Sequence, residues 1–255
     1  MMARIAAALV VFGLAVIRVT PLAAEMPAAP IVVELFTSQS CSSCPPAEAY
    51  LGKLAGWPDL VALEFHVDYW NDLVDGAAGR WTDVHSDPAY TARQRVYAGR
   101  LPSSFGGVYT PQMVIDGRFQ AVGTRAREVE AAIAAARQSP HLALTLATLD
   151  AGKTELRVSG GAAVMDRVAD IWLVRFRTRA ETKIRAGENR GKTLVNHHIV
   201  TDMTRLGGWV LDRSSIILDS VSHGLDSGCA VLVQAPEQGP ILGASMCPKG
   251  AGQAS

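Results

Sequence analysis

The sequence predicts an α/β domain with a helical insertion over residues 25–140, followed by a mainly-β, antiparallel, sandwich-like domain over 141–255. Three observations lead there. A short apolar, β-rich run from Ile31 to Phe36 leads through Cys41-Ser42-Ser43-Cys44 into a helix-forming stretch, the strand–turn–helix order of an α/β unit. Thr110-Pro111 stands directly before a strand, a turn, a second strand and a helix. After Ser139-Pro140 the apolar spacing changes from helical to alternating, and no long helical pattern returns, which is how sandwiches and barrels read.

The chain has 255 residues, 49% of them apolar, with 24 basic against 24 acidic side chains. A zero net charge argues against binding the phosphate backbone of nucleic acid, which needs a basic excess. Residues 1–24 have the layout of a secretory signal, with Arg4 in a cationic start, an apolar run from Ile5 to Ile17 and small residues before a cut ahead of Glu25. The run stops at Arg18, short of the ~20 apolar residues that a membrane span needs. Losing residues 1–24 leaves 22 basic and 24 acidic side chains, a net charge of −2. The expected location is therefore periplasmic or secreted, where paired cysteines persist as disulfides.

Along the mature chain, Ile31–Phe36 and Leu60–Val67 read as buried strands, and Ala47–Gly56 as a helix whose first turn tolerates Pro45 and Pro46. The stretch 70–108 contains a helix over Pro88–Arg100. Pro111–Ile115, the turn Asp116-Gly117 and Arg118–Gln120 form a hairpin signal. Thr124 caps a helix to Gln138 with Val129, Ala132, Ile133 and Ala136 on one face. Beyond 141 the strand candidates start near Leu142, Leu156, Ile171, Leu194, Trp209, Ser215, Ala230 and Ile241.

Chemistry concentrates at Cys41-x-x-Cys44. A helix start presents unpaired backbone N–H groups that favour a thiolate and lower its pKa below the free value of ~8.5. This spacing brings both sulfurs within disulfide reach, with Cys41 as the solvent-facing nucleophile and Cys44 as the resolving thiol. The same pair is compatible with half a zinc site or an inert structural disulfide, although no second CxxC or suitably spaced His completes a zinc site. The Thr110-Pro111 bond is placed where cis peptides occur.

The order of these elements resembles the thioredoxin fold. The local text, Val33-Glu34-Leu35-Phe36-Thr37-Ser38-Gln39-Ser40-Cys41-Ser42-Ser43-Cys44-Pro45-Pro46-Ala47-Glu48 together with His66–Trp70, Tyr90–Gln94, Tyr109–Met113, Gly187–Gly191 and Gly239–Gly243, is similar to that of a secreted thioredoxin-like family of unknown function. The resemblance implies that Pro111 is a cis-proline packed against the disulfide and that Thr110-Pro111 docks the substrate backbone. Glu34 lies near where thioredoxins keep a buried acid that relays protons, and it reads either as that relay, a base for the resolving thiol, or as an ordinary paired strand carboxylate. Ser42 and Ser43 depart from ordinary thioredoxins, as does the separation of Cys41 from Pro111 by 69 residues, where an insertion over about 70–100 is expected to rim the site.

Other residues have two readings each. Glu64, His66 and Asp68 alternate with apolar neighbours and read as a hydrogen-bonded strand-end cluster or as part of a metal site. Trp70, Trp81 and Tyr109 read as core or as an apolar rim for unfolded protein. His197 and His198 point to opposite faces of a strand. Cys229 and Cys247 read as a structural disulfide of the β domain. The expected activity is thiol-disulfide exchange on protein substrates with a redox partner and no cofactor. The alternative is a Cu(I)-handling or redox-silent binding module, since thiolates suit Cu(I) and His66 stands near.

Overall fold

A computed structural model describes residues 29–73, 79–103, 105–149, 152–160, 168–210, 214–219 and 221–248. The secretory-signal expectation for residues 1–24 lies outside them. The first half contains β1 (Ile31–Thr37), α1 (Pro45–Leu54), β2 (Leu60–His66), α2 (Trp70–Leu73), α3 (Pro88–Arg100), β3 (Gln112–Ile115), β4 (Phe119–Val122) and α4 (Ala126–Ala136). The second half contains β5 (Ala143–Leu149), β6 (Lys153–Ser159), β7 (Val168–Lys183), β8 (Thr193–Val210), β9 (Ser215–Asp219), β10 (Ser227–Gln234) and β11 (Ile241–Met246).

The fold class read from the sequence is overturned. Strands of both halves join one mixed eight-stranded sheet in the order β11-β10-β7-β8-β2-β1-β3-β4, while β5, β6 and β9 form a separate three-stranded sheet. The molecule is mainly β, and the helices among the described residues are four and short; there is no thioredoxin-like α/β domain carrying a helical insertion. The expected antiparallel sandwich is not self-contained either, because β8 runs parallel to β2 and meets it at Glu64↔Ile199. Strand length is the other departure. β7 and β8 pair from Val168↔Val210 to Lys183↔Thr193, so the run at Trp209, expected as a strand of its own, is the end of β8.

Burial explains the layering. β1 and β2 are buried along their whole length, so each needs cover on both faces. Val32, Phe36, Leu63 and Phe65 lie with Tyr90 and Tyr97 of α3 on one face. On the other, Val33, Leu35 and Ala62 pack against Ala47, Leu51 and Leu54 of α1 and Val129 and Ile133 of α4. Over β7 and β10 that second face is covered by the small sheet, with Leu156, Val158 and Leu218 against Ile171, Leu173, Val231 and Val233. The stretch expected as an insertion therefore carries α3 as a core layer. Its N-cap is Asp87, whose carboxylate accepts from Ala89 N at 2.7 Å. α4 starts at Arg125 without a side-chain cap, in place of the expected Thr124 cap.

Candidate functional site

β1 ends at Thr37, and the buried turn Ser38-Gln39-Ser40 brings the chain to Cys41 at the mouth of α1. Cys41 and Cys44 are joined as a disulfide, with Cα atoms 5.4 Å apart. Cys44 is the N-cap of α1, and Pro45 and Pro46 occupy its first turn. The expectation of a solvent-facing Cys41 is corrected: both cysteines are 0% exposed, and Ser42 and Ser43 form the outer surface of the turn. The cover comes from the loop between β7 and β8. Asn189, fully buried, donates from Nδ2 to the carbonyls of Gln39 and Cys41 at 2.9 Å each. Ser42 N–H donates to Glu188 Oε2 at 2.9 Å. On the other flank, Ser40 Oγ donates to Trp81 O at 2.9 Å, and Trp81 Nε1 donates to Gln39 Oε1 at 3.3 Å.

Inward from the disulfide lies a buried polar cluster. Glu48 stands one helical turn after Cys44, and its N–H donates to Cys44 O at 3.2 Å, so the two side chains share a face of α1. Thr37 Oγ1 donates to Glu48 Oε1 at 2.7 Å. Burial, reinforced by the charge of Glu64, pushes Glu48 up to about 8, with His66 and the Thr37 hydrogen bond pulling the other way. At neutral pH Glu48 therefore holds its proton. His66 Nδ1 lies 2.7 Å from Asp83 Oδ2, and His66 Nε2 lies 3.2 Å from Glu64 Oε1. Burial works against a charge on His66, yet Asp83 and Glu64 hold it well above its ordinary value. Burial likewise opposes the charge of Asp83, which is nonetheless held below its usual range by His66 and by the N–H groups of Gln39 and His85. Asn196 Nδ2 donates to Glu64 Oε1 at 2.7 Å, and His197 N–H donates to Oε2 at 2.9 Å.

The Thr110–Pro111 bond is cis. A Cβ added at Gly123 would lie 2.9 Å from Ala47 Cβ, 3.3 Å from Leu35 Cδ1 and 3.3 Å from Pro111 Cβ, so the proline ring and the first turn of α1 converge on this glycine. Trp70 Nε1 donates to Thr110 Oγ1 at 2.6 Å, and Phe105 stacks on Tyr109 at 4.3 Å. Trp70 and Tyr109 are half-buried and Phe105 is exposed. This aromatic rim lies next to the cis-proline, while Trp81 belongs to the cover of the turn.

Glu34 is not brought to the cysteines. It faces α3, away from α1, and accepts from Arg93 Nε at 2.7 Å and Tyr97 OH at 2.6 Å, the placement of a paired strand carboxylate and not of a proton relay to the cysteines. Asp68 does not join Glu64 and His66, since it accepts from Thr91 on the α3 side. Cys229 and Cys247 are bridged within the core between the two sheets. Among the described residues, no group of three or more His, Cys, Asp or Glu side chains is arranged to hold a metal ion. Nor is any helix among them long and apolar enough to cross a membrane. The sequence reading gave no role to Asp83 and Asn196, and it took in Glu48, Glu188 and Asn189 only as parts of the motifs that carry the family resemblance. Glu48 has a local signal, its four-residue spacing from Cys44, and Glu188 and Asn189 stand in the Gly187–Gly191 motif.

Residues 32–234 match the family described as protein of unknown function (DUF1223). Among curated proteins none matches. Among solved structures, the crystal structure of protein AGR_C_4864 from Agrobacterium tumefaciens is similar at 29% identity, covering 89% of this chain and 98% of its own, with a TM-score of 0.68. The third fibronectin III domain of human KIAA0343 protein aligns with 46% of this chain and 90% of its own at 12% identity, and its TM-score of 0.22 carries no weight. The family match takes in the Cys41–Cys44 turn, the cis-proline, the covering loop and the strands from β1 to β10, and the chain belongs to this family of unknown function, DUF1223.

Proposed function

We propose that this protein is an exported thiol-disulfide oxidoreductase that exchanges Cys41–Cys44 with protein disulfides. The observation that carries the reading is the pairing of a disulfide at the mouth of α1 with Glu48, a buried acid one turn away that is pushed up to about 8. Opening such a disulfide by a substrate thiolate joins the substrate sulfur to Cys41 and releases Cys44 as a thiolate in a dry site, which needs a proton. Glu48 supplies it and takes it back when Cys44 returns to close the disulfide. Each full turnover moves two electrons and two protons between the cysteine pair and a substrate dithiol. The aromatic rim of Trp70, Phe105 and Tyr109 beside Thr110-Pro111 offers an apolar bed for an extended peptide. Because Cys41 is buried, the cover of residues 184–192 has to lift for a protein substrate to reach it. Export is supported by the signal-like residues 1–24 and by two disulfides, which persist in oxidising compartments.

The test is a trapping experiment on the full chain. Cys44→Ser should accumulate mixed disulfides through Cys41 with oxidised protein substrates, whose disulfide the Cys41 thiolate opens, and Cys41→Ser should abolish insulin reduction by the dithiothreitol-coupled protein. Unchanged insulin reduction in Cys41→Ser, or no adduct in Cys44→Ser, would overturn the reading.

A further inference from the structure

The turn that carries Cys41 has few N–H groups to spare. Pro45 and Pro46 have none, and the N–H groups of Cys44, Ala47 and Glu48 are bonded to Cys41 O, Cys44 O and Cys44 O. Ser42 N–H, next to Cys41 and facing outward, is taken by Glu188 Oε2. The general expectation that a helix start lowers the pKa of its first cysteine therefore meets an occupied donor and a carboxylate in place of an open one.

We propose that Glu188, delivered by the loop between β7 and β8, tunes the Cys41–Cys44 pair toward the disulfide by withholding the Ser42 N–H and setting a negative charge beside Cys41. Its importance for turnover rests on the oxidoreductase reading; its effect on Cys41 ionisation does not. The loop is built to hold it there. Asn189, fully buried next door, clamps the Gln39 and Cys41 carbonyls, and Lys192 Nζ donates to Asn189 Oδ1 at 2.9 Å. Gly187 N–H donates to Gly79 O at 3.1 Å, at a φ of +74° that glycine adopts without strain. The other charged groups around the turn are spoken for: Asp83 binds Gln39 N–H and His66, and Glu48 holds a proton beneath Cys44.

The sign follows from the chemistry. Reduction by a dithiol adds two electrons and, at low pH, two protons, giving two neutral thiols that a carboxylate hardly affects. At a pH where Cys41 ionises, only one proton is taken up, and the Glu188 charge opposes the thiolate. Glu188 is exposed, so water screens it; removing one charge at this range changes Cys41 ionisation by about three- to tenfold. The disulfide is favoured by the same factor at high pH and by nothing at low pH.

The experiment compares wild type, Glu188→Gln and Glu188→Lys as full chains. Gln keeps an acceptor for Ser42 N–H and removes only the charge. In reduced protein, the pH midpoint of Cys41 alkylation by iodoacetamide should fall by about half a unit to one unit in E188Q and further in E188K. The differences should shrink at 1 M salt. The equilibrium constant for reduction by dithiothreitol should match wild type at pH 6 and exceed it about three- to tenfold at pH 9. Coincident midpoints in all three proteins, or an equal change at pH 6 and pH 9, overturn the proposal. If the midpoints shift while Cys44→Ser traps no protein substrate, the tuning stands and the oxidoreductase reading falls.

Discussion

Glu48→Gln isolates the buried acid of the site. The carboxyl is pushed from its ordinary 4.5 up to about 8, by burial first and by Glu64 second. Between those two values the folded chain holds a proton that the unfolded chain has released, so stability falls as pH rises through the window. One pH unit within it is worth about 1.36 kcal/mol, and between pH 5 and pH 8 the loss amounts to roughly 2–4 kcal/mol. The amide introduced by E48Q cannot ionise, yet it keeps an acceptor for Thr37 Oγ1. His66, also raised, loses its contribution with rising pH in both proteins. Urea unfolding with both disulfides intact should therefore show E48Q gaining on wild type by roughly 2–4 kcal/mol from pH 5 to pH 8. The same variant should open its Cys41–Cys44 disulfide about tenfold or more slowly with dithiothreitol at pH 7, having lost the proton donor for Cys44. Parallel stability profiles with an unchanged reduction rate would refute the reasoning.

Two further perturbations test the frame around the site. Gly123→Ala places a Cβ 2.9 Å from Ala47 Cβ, and since that atom is fixed to α1, the helix has to move; we expect a loss of about 1–3 kcal/mol by urea unfolding and faster reduction of the disulfide, and wild-type values for both would reject the close approach. Arg93→Met leaves Glu34 buried without its partner, for a loss of about 3–5 kcal/mol, and the double variant with Glu34→Gln should recover part of it; a double variant less stable than R93M would contradict the ion-pair reading.

The local features of the site were legible because each is written in contiguous residues. The apolar run before Cys41, the prolines that start α1 and Thr110-Pro111 before β3 all fall where the sequence places them. The pairing of Glu34 is less legible. Glu34 shares the strand leading to Cys41, but alternation puts it with Val32 and Phe36 on the α3 face, whereas α1 lies over Val33 and Leu35. The buried carboxyl on the side of the cysteines is Glu48, which lies after them on the helix, at a four-residue spacing from Cys44. The fold class failed for a different reason. Hydrophobic alternation identifies a strand but not its neighbour, and the join of β8 to β2 rests on the single register pair Glu64↔Ile199, between residues far apart in the chain.

That join explains how polar residues are accommodated in a fully buried part of the molecule. Glu64 is fully buried in β2 and would be costly alone. It is satisfied by Asn196 and by the His197 N–H of β8, and stands against His66 of β2, so the strand that extends the sheet also supplies hydrogen-bond donors to this buried carboxylate. Shortly before Asn196 along the same chain, the loop that leads into β8 supplies Glu188 and Asn189 to the outer side of the turn. One hairpin, β7–β8, thus supplies Asn196 to the buried Glu64 and, through its loop, Glu188 and Asn189 to the turn that carries Cys41. The cysteine turn of the first half is therefore not separable from the second: without β8 the polar cluster loses the donors that hold Glu64, and without the loop Cys41 loses both its cover and the carboxylate on the neighbouring Ser42 N–H.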